Sequence, residues 1–219
     1  MIDDFAQPAC AEAHGKLAAH LAAALARLAR RLRRGAKASG EGESPSAMSS
    51  HAKVAIAPEP ATSAAVQYCL GEYYRELDDR FDGGFDPELS LRPSLDEFDP
   101  PRGVFLVARL HGEPVGCGGL KPISAEAAYL KRMWIAPRAR GLGLARGLLS
   151  ALEEQARILG YSVVRLETNK ALVEAQQLYR SSGYREAPPF NDEPYAHHWF
   201  EKALHGGMGH RPQGRMAAG

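Results

Sequence analysis

The sequence has little of what marks secreted, metal-binding or membrane proteins. It holds three cysteines, Cys10, Cys69 and Cys117, and their wide spacing predicts neither a disulfide framework nor a zinc knuckle. The net charge is only +1 at pH 7, so the chain as a whole offers no strong field for nucleic acid or a membrane. No apolar run reaches the ~20 residues of a membrane-spanning helix, and the acidic start is unlike a secretory leader. We therefore expect a cytoplasmic protein with no membrane partner, and nucleic acid is not the expected ligand.

The composition is that of a globular protein. Hydrophobic residues make up 45% of the chain and charged residues 24%, values that are typical of folded domains. A length of 219 residues suits one domain of ~100–200 residues with additional segments. Because the chain changes character near residue 50, we predict an extension over residues 1–50, a folded domain over 51–205 and a disordered tail over 206–219.

The extension is rich in alanine and arginine, and then in glycine and serine. Leucines recur at steps of three and four, which predicts a helix with one apolar stripe: Leu17, Leu21, Leu25, Leu28 and Leu32. Arginines crowd its carboxyl end, Gly35 supplies a stop, and residues 36–50 are typical of a flexible linker. Such a helix is a basic arm for nucleic acid, anionic lipid or a partner helix. The commoner alternative is a solvated, partly disordered extension or a helix that docks on its own domain. Met48 is an alternative start for the domain.

From residue 53 onward, strand-like and helix-like segments alternate. The predicted strands are Lys53–Ala57, Val104–Ala108, Val115–Lys121, Tyr129–Ile135, Ser162–Thr168 and Trp199–Ala203. The predicted helices are Thr62–Phe81, Leu142–Leu159 and Ala171–Ser181. A long loop rich in proline and glycine, Asp82–Arg102, follows the first helix. A hairpin followed by β-α-β-α-β predicts one α/β domain with a partly antiparallel sheet.

The strongest chemical signal lies where a predicted strand meets a predicted helix. Strand Lys131–Ile135 runs into a loop that contains Gly141 and Gly143. A helix amino end carries unpaired N–H groups and about half a positive charge, and glycines let the backbone approach a bulky anion. Arg138 and Arg140 add positive charge beside these groups. The segment therefore predicts a pyrophosphate site; a plain glycine turn before a helix is the alternative.

Two other phosphate-binding loops fit this segment poorly. The string Gly-x-x-x-x-Gly-Lys-Ser/Thr of a P-loop does not occur in the sequence. A dinucleotide fingerprint needs a third glycine where Arg146 stands, and Glu167 lies further along than its acidic residue should. A dinucleotide-binding unit also usually starts its domain, whereas this loop follows a hairpin.

The loop resembles the acetyl-coenzyme A signature of the GNAT superfamily, Arg/Gln-x-x-Gly-x-Gly/Ala, which stands here as Arg138 to Gly143. Segments Lys131–Ile135, Leu166–Asn169 and Trp199–Lys202 are similar to family segments too, so the resemblance covers roughly residues 53–204. It implies a GNAT-like α/β fold, with a mixed, mostly antiparallel central sheet flanked by helices. It also implies an acyltransferase that uses acetyl-CoA as co-substrate and needs no metal.

The resemblance further implies roles for particular residues. Backbone N–H groups of the loop would hold the pyrophosphate, and the strand before it would pair with the pantetheine arm. Tyr179 would protonate the leaving thiolate, and Asn169 would lie near the pantetheine or the thiol. The implied cofactor-binding residues are Met133, Trp134, Ile135, Arg138, Arg140, Gly141, Leu142, Gly143, Leu144, Ala145, Asn169 and Tyr179. The predicted catalytic residues are Tyr179 and Glu126.

The general base is the open part of this assignment. Many family members carry a glutamate early in the strand where Tyr129 stands here, so Glu126 just before it is predicted. Glu167 on the neighbouring strand, water and a loop carboxylate are alternatives; the loop carboxylates are Asp96, Glu97 and Asp99.

The acceptor end is indicated by two loops, Phe81–Phe98 and Pro188–His198, which bring aromatic and polar groups together. His197 and His198 would point to opposite faces of a strand, so a shared metal is not expected. Tyr179 and Asn169 favour an N-acetyltransferase that acts on a primary amine of a small molecule or a protein. The alternative is a non-catalytic acyl-CoA-binding regulatory module with a basic nucleic-acid- or partner-binding arm. A homodimer is left open.

Overall fold

The structure is a computed structural model that describes residues 54–90 and 94–204. In this part of the chain, strands and helices alternate in nearly the expected order. The strands are β1 (Val54–Pro58), β2 (Val104–Leu110), β3 (Glu113–Pro122), β4 (Ala127–Ile135), β5 (Val163–Thr168), β6 (Arg185–Ala187) and β7 (His198–Ala203). The helices are α1 (Ala64–Arg80), α2 (Leu144–Ile158) and α3 (Val173–Ser181), and short 3-10 turns span Leu95–Phe98 and Pro137–Ala139.

The strands form one sheet in the order β1-β2-β3-β4-β5-β7-β6. Neighbouring strands pair antiparallel except β4 and β5, which are parallel. This confirms the expected α/β fold with a mixed, mostly antiparallel sheet flanked by helices. Most predicted bounds differ from the structure by one or two residues, and two differences have a clear physical reason. Strand β6 is too short to show a pattern in the sequence, and α2 begins at Leu144 rather than Leu142, because Gly143 has a positive φ of 75°.

Helix α1 shows how the local sequence sets the limits of an element. Ser63 caps its amino end, since the Ser63 hydroxyl accepts a hydrogen bond from the Val66 N–H at 3.2 Å. Val66, Leu70 and Leu77 recur at helical spacing and are buried in the core. The backbone becomes extended at Phe81, and the helix ends there.

Helices α1 and α2 cover opposite faces of the sheet. A Cβ atom on Gly118 of β3 would meet a methyl group of Leu152 in α2 at 2.8 Å, so glycine permits the close approach of that helix. The thiol of the preceding residue, Cys117, instead interacts with Cys69 of α1. Because successive strand side chains alternate between faces, the two helices lie on different sides. Both cysteines are buried and free, although they are far apart in the sequence.

Strands β4 and β5 separate along their length, and this opens the sheet. Their pairing is confined to Ala127–Tyr129 and Val163–Arg165, near the start of each strand. Further along β4, the pairing with β3 is irregular, and Arg132 has a positive φ of 58°. A bulge of this kind bends a strand and re-aims its side chains. The edge of β4 beyond Tyr129 is therefore left unpaired on the β5 side.

The predicted extension and tail, with the predicted domain boundaries beside them, lie outside the described residues and stay predictions. Over residues 54–90 and 94–204, no helix is both long enough and apolar enough to cross a membrane. The cytoplasmic location stays a prediction as well.

Candidate functional site

Two cavities meet where β4 and β5 separate. The larger cleft has a volume of about 690 Å³ and lies among α1, the end of β4, the loop before α2, the start of α2 and α3. The smaller pocket has a volume of about 100 Å³ and lies among α1, β4, the end of β5 and the loops after α1 and before β7. Tyr73, Met133 and Tyr179 line both cavities, so they mark the junction between them.

One wall of the larger cleft is the amino end of α2. Gly143 occupies the cap position with φ of 75°, and no side chain caps the helix. The first helical N–H with a backbone acceptor is that of Gly147, which donates to the Gly143 carbonyl at 3.0 Å. The N–H groups from Leu144 to Arg146 are thus open to a ligand, and the helix dipole adds partial positive charge there. Such a helix end binds phosphate groups well.

Arginines surround this end of α2. Arg80, Arg140 and Arg146 all line the larger cleft. Arg146 stands in the first turn of the helix, which holds no acidic residue, so the helix dipole disfavours it unless an anion binds. Its Nη2 donates to the Ser181 hydroxyl of α3 at 3.1 Å, which joins the two helices. The electrostatics of this wall therefore favour a polyanion.

Glu76 of α1 holds these groups together. Its carboxylate accepts hydrogen bonds from Trp134 Nε1 at 2.8 Å, Arg140 Nη2 at 2.7 Å and Arg80 Nη1 at 3.2 Å. Burial alone would raise the pKa of this carboxyl, but the hydrogen bonds from Trp134 and the two arginines outweigh it and hold the pKa below its usual value. The sequence analysis missed Glu76, because it lies 58 residues before Trp134 and belongs to no local motif.

The structure brings most of the predicted cofactor-binding residues to the larger cleft: Met133, Trp134, Ile135, Arg140, Gly141, Gly143, Leu144, Ala145 and Tyr179. The other three do not line it. Arg138 turns to a backbone carbonyl of β3 at 3.3 Å, and Leu142 is 58% exposed. Asn169 lines the smaller pocket, where its side chain donates to the Tyr195 carbonyl at 2.8 Å and so holds a loop.

Tyr179 lies at the junction of the two cavities. Its ring centroid is 5.7 Å from that of Tyr184 and 5.8 Å from that of Phe200, so it is packed in the core. Burial raises the pKa of the Tyr179 phenol well above its usual value, and the nearby Glu167 carboxylate adds to the rise. The phenol is therefore neutral at physiological pH and is a hydrogen-bond donor.

A buried ion cluster lines the smaller pocket. Lys131 Nζ of β4 lies 2.9 Å from Glu167 Oε1 and 3.3 Å from Glu193 Oε2. The three side chains are 10%, 7% and 6% exposed, and charges so far from water need partners of opposite sign. The other oxygen of Glu167, Oε2, is buried and finds no hydrogen-bond partner among the described residues. That oxygen can accept a proton or a hydrogen bond from a ligand.

A chain of polar side chains leads from this cluster to β7. Asn191 donates to the Tyr129 hydroxyl and accepts from the Trp199 ring N–H at 2.8 Å. Burial raises the pKa of Tyr129, and the Glu167 carboxylate raises it further, so this phenol is also neutral. The position where a family glutamate was expected thus holds a neutral group that cannot serve as a base.

Aromatic rings from both predicted acceptor loops line the smaller pocket. The Tyr195 ring lies 4.8 Å from Phe85 and 5.7 Å from Phe81, measured between centroids. The Tyr195 hydroxyl accepts a hydrogen bond from the Asp86 N–H at 2.9 Å. The two loops are therefore joined to each other beside the pocket.

Of the carboxylates predicted as a general base, Glu167 lines the smaller pocket and the others line neither cavity. Glu126 is exposed in the turn before β4, at the end of the strand where β4 and β5 are still paired. It stands seven residues before Met133, which is roughly 23 Å along a strand. Glu126 therefore lies away from the junction of the cavities, which argues against its predicted role as the base. The loop carboxylates that line neither cavity are Asp96, Glu97 and Asp99.

The adjacent histidines have separate partners. His198 Nδ1 lies 2.6 Å from a Glu186 carboxylate oxygen, whereas His197 Nδ1 lies 3.3 Å from the Tyr195 carbonyl oxygen. In the part of the chain that the structure describes, no group of three or more His, Cys, Asp or Glu side chains could hold a metal ion.

Comparison with known proteins identifies the family of this chain and supports its fold. The family model described as "Acetyltransferase (GNAT) family" matches residues 70–184, more than half of the chain. The IAA acetyltransferase of Azospirillum brasilense is 36% identical over 144 residues, which are 65% of this chain and 90% of that protein.

Two solved structures extend this comparison. A Klebsiella pneumoniae protein described as an acyl-CoA N-acyltransferase is 27% identical, with a TM-score of 0.57 over 69% of this chain and 97% of its own. A GNAT family acetyltransferase of Elizabethkingia anophelis, solved with acetyl-CoA bound, is 19% identical, with a TM-score of 0.51 over 69% of this chain and 98% of its own. This second likeness shows the fold alone. On the family match and the Azospirillum relative, the chain belongs to the acetyltransferase (GNAT) family of acyltransferases.

Proposed function

We propose that the protein transfers the acetyl group of acetyl-CoA to a primary amine of a small molecule. The observation that carries this proposal is the junction of the two cavities at Met133 and Tyr179. The larger cleft offers unpaired N–H groups and arginines, which suit the phosphates of a coenzyme. The smaller pocket offers a carboxylate oxygen without a partner, which suits an amine. A thioester at the junction would face both.

Acetyl-CoA would occupy the larger cleft. Its pyrophosphate would accept hydrogen bonds from the N–H groups between Leu144 and Arg146. Its pantetheine arm would add to the unpaired edge of β4 beyond Tyr129, as a peptide adds to the edge of a sheet. A backbone N–H of β4 near Met133 would then polarise the thioester carbonyl.

Glu167 would take a proton from the amine, directly or through a water molecule. An ammonium group cannot attack a thioester, and an alkylamine with a pKa of ~10 is almost fully protonated at pH 7. Glu167 lines the smaller pocket, its Oε2 has no hydrogen-bond partner in the described residues, and its Oε1 is held by Lys131. The ion pair would keep the carboxylate oriented for the transfer.

Tyr179 would donate a hydrogen bond to the sulfur as the C–S bond breaks. An ordinary thiol has a pKa of ~8.5, well below the raised pKa of this buried phenol. Complete proton transfer from Tyr179 to the thiolate would therefore be unfavourable, whereas donation to the developing charge needs no transfer. We thus assign hydrogen-bond donation to Tyr179, rather than the protonation that the resemblance implied.

A small acceptor suits the pocket better than a protein does. The pocket has a volume of only about 100 Å³, and the loops that carry Phe85 and Tyr195 contact each other beside it. A protein substrate would have to pass a side chain between these loops while its backbone stayed outside. The basic arm of the regulatory alternative lies outside the described residues, so no described feature favours that function. A homodimer stays a prediction.

Titration calorimetry with acetyl-CoA tests the coenzyme half of the proposal. Gly143→Asp places a carboxylate among the N–H groups of α2, and it should weaken acetyl-CoA binding about 100-fold or more. Gly112→Asp is the matched control, because Gly112 also has a positive φ, 93°, and open surroundings, but it lies in the β2–β3 turn. This control should bind acetyl-CoA as the parent does.

Thiol release from acetyl-CoA with a panel of small amines tests the transfer half. The parent and Gly112→Asp should release thiol in proportion to the amide that forms, and Gly143→Asp should need far more acetyl-CoA to do so. The proposal would be wrong if the folded parent bound no acetyl-CoA. It would also be wrong if Gly143→Asp and Gly112→Asp bound acetyl-CoA equally.

A further inference from the structure

The bulge in β4 brings two cations into one pocket. In a regular strand, the side chains of Lys131 and Arg132 would point to opposite faces of the sheet. The positive φ of Arg132, 58°, breaks this alternation, and both residues line the smaller pocket. A non-glycine residue in this conformation is strained, and such strain is found most often at functional sites. The conformation of Arg132 therefore needs an explanation from function.

The two cations have different surroundings. Lys131 is paired with Glu167 and Glu193. The Arg132 guanidinium instead lies over aromatic rings, with its carbon 5.3 Å from the Phe98 centroid and 6.0 Å from the Tyr74 centroid. Ring faces stabilise a cation but accept few of its hydrogen bonds. Arg132 Nη1 is buried and has no hydrogen-bond partner in the described ranges.

A guanidinium that lines a pocket and has an unpartnered N–H group, as Arg132 has at Nη1, is complementary to a carboxylate. Arginine presents parallel N–H groups that match the two oxygens of a carboxylate, and burial strengthens such pairs. The charged residues that line the pocket are Lys131, Arg132, Glu167 and Glu193, and their formal charges cancel. A simple amine would leave Arg132 without an anion, whereas a zwitterion would satisfy both ends of the pocket.

We propose that the acceptor is an amine that also carries a carboxylate, such as an amino acid, and that Arg132 binds this carboxylate. This inference rests on the proposed acetyl transfer and adds the substrate class. The ammonium first gives a proton to Glu167 or to water, and the neutral nitrogen then forms the C–N bond and loses a second proton to water. The C–S bond breaks with its electron pair on the sulfur, and the carboxylate stays on Arg132 unchanged.

The test compares acceptors that differ only in the carboxylate. Each common L-amino acid is assayed beside its carboxamide and its decarboxylated amine, with thiol release as the readout. We expect at least one amino acid to exceed both of its analogues about 100-fold in kcat/KM, because a site built for a charged group rejects molecules that lack it. Binding of acetyl-CoA is measured in parallel.

Variants assign this preference to Arg132. Arg132→Gln should abolish most of the preference through a higher acceptor KM, and it should bind acetyl-CoA as the parent does. Arg132→Lys should be intermediate, since an ammonium keeps the charge but lacks the planar fork. Arg109→Gln is the matched control, because Arg109 pairs with Glu59 at 2.8 Å and lines neither cavity. It should keep the full preference.

Each contrary outcome has a separate meaning. Acetylation of the carboxamides or simple amines as fast as the amino acids would overturn this inference and leave the proposed function standing. A preference that survives in Arg132→Gln would overturn it too. A parent that binds acetyl-CoA but acetylates no amine would overturn both.

Discussion

The larger cleft and the smaller pocket meet at shared residues, but they offer different kinds of group to a ligand. The larger cleft presents backbone groups, namely the unpaired edge of β4 and the N–H groups of the α2 start, which lie within one short stretch of sequence. The smaller pocket presents side chains from α1, β4, β5, α3 and two loops, and these run from Tyr73 to Ala196. The backbone donors of the larger cleft are thus local in sequence, although α1 and α3 also line it, whereas the charged and aromatic side chains of the smaller pocket come from across the fold.

This difference assigns coenzyme binding to backbone groups and acceptor chemistry to side chains. Backbone N–H groups remain hydrogen-bond donors whatever the side chains nearby are. They therefore suit a ligand that is the same for every acceptor, such as a pyrophosphate. Side chains can change one at a time, so they suit an acceptor and the chemistry on it. We therefore expect substitutions in the smaller pocket to affect turnover, and substitutions in the larger cleft to affect acetyl-CoA affinity.

The largest expected effect belongs to the smaller pocket. Glu167→Gln removes the proposed proton acceptor and keeps the size of the side chain. Turnover should fall about 10²–10⁴-fold, the usual range for loss of a positioned acid or base. The dissociation constant for acetyl-CoA should stay within about threefold of the parent's, because Glu167 does not line the larger cleft. Steady-state thiol release and calorimetry measure the two quantities.

Glu126→Gln is the control for this prediction. Glu126 is an exposed carboxylate that lines neither cavity. The turnover of the Glu126→Gln variant should therefore equal that of the parent. An equal loss in both glutamine variants would contradict the assignment of Glu167. A loss of acetyl-CoA binding in Glu167→Gln would break the comparison between the two cavities.

The coenzyme end of the site was predictable because its signal is local. Gly141, Gly143 and the arginines around them stand within a few residues of each other, and a strand and a helix flank them. The same locality explains why the order of strands and helices was predicted almost completely. Only β6 was missed as a strand, since three residues, Arg185–Ala187, carry no periodicity.

The acceptor end was not predictable from such signals. The ion pair of Lys131 with Glu167 joins different strands, and Glu193 comes from a loop before β7. The prediction of Glu126 assumed that closeness in sequence to the end of a strand means closeness to the site. Nine residues of extended strand carry the chain from Ala127 to Ile135, so the two ends of β4 are roughly 26 Å apart.

A smaller effect is expected at the junction of the cavities. Tyr179→Phe removes one hydroxyl and keeps the buried ring. Turnover should fall about 10–100-fold from loss of a hydrogen bond to the developing thiolate, with acetyl-CoA affinity nearly unchanged. Because burial and Glu167 raise the pKa of Tyr179, the parent should show no loss of activity from its ionisation up to about pH 10.

Tyr161→Phe is the matched control for the junction. The Tyr161 hydroxyl donates to the Arg102 carbonyl at 2.8 Å, and Tyr161 lines neither cavity. Its loss should leave turnover unchanged. If Tyr179→Phe behaves in the same way, Tyr179 is a core residue with no part in the chemistry.

The smallest expected effect concerns the side chains that support the larger cleft. Glu76→Gln keeps an acceptor for Trp134 but loses the charged pairs with Arg80 and Arg140. The free energy of unfolding at pH 7 should fall by about 1–2 kcal/mol, since the network is only partly exposed. Glu72→Gln in the same helix, whose partner Arg75 is 64% exposed, should cost less than about 0.5 kcal/mol.

The pH dependence gives this last prediction its sign. The pKa of Glu76 is lower in the folded protein than in the unfolded chain, because the hydrogen bonds from Trp134 and the arginines outweigh the effect of burial. Its contribution is therefore complete above about pH 5, where the unfolded carboxyl is also charged, and it is lost as the pH falls through the folded pKa. Urea unfolding measures the free energy of unfolding of the parent and of Glu76→Gln at pH 7 and near pH 4. The difference between the two proteins should be smaller near pH 4 than at pH 7. A difference that stays constant would mean that Glu76 acts through packing rather than charge.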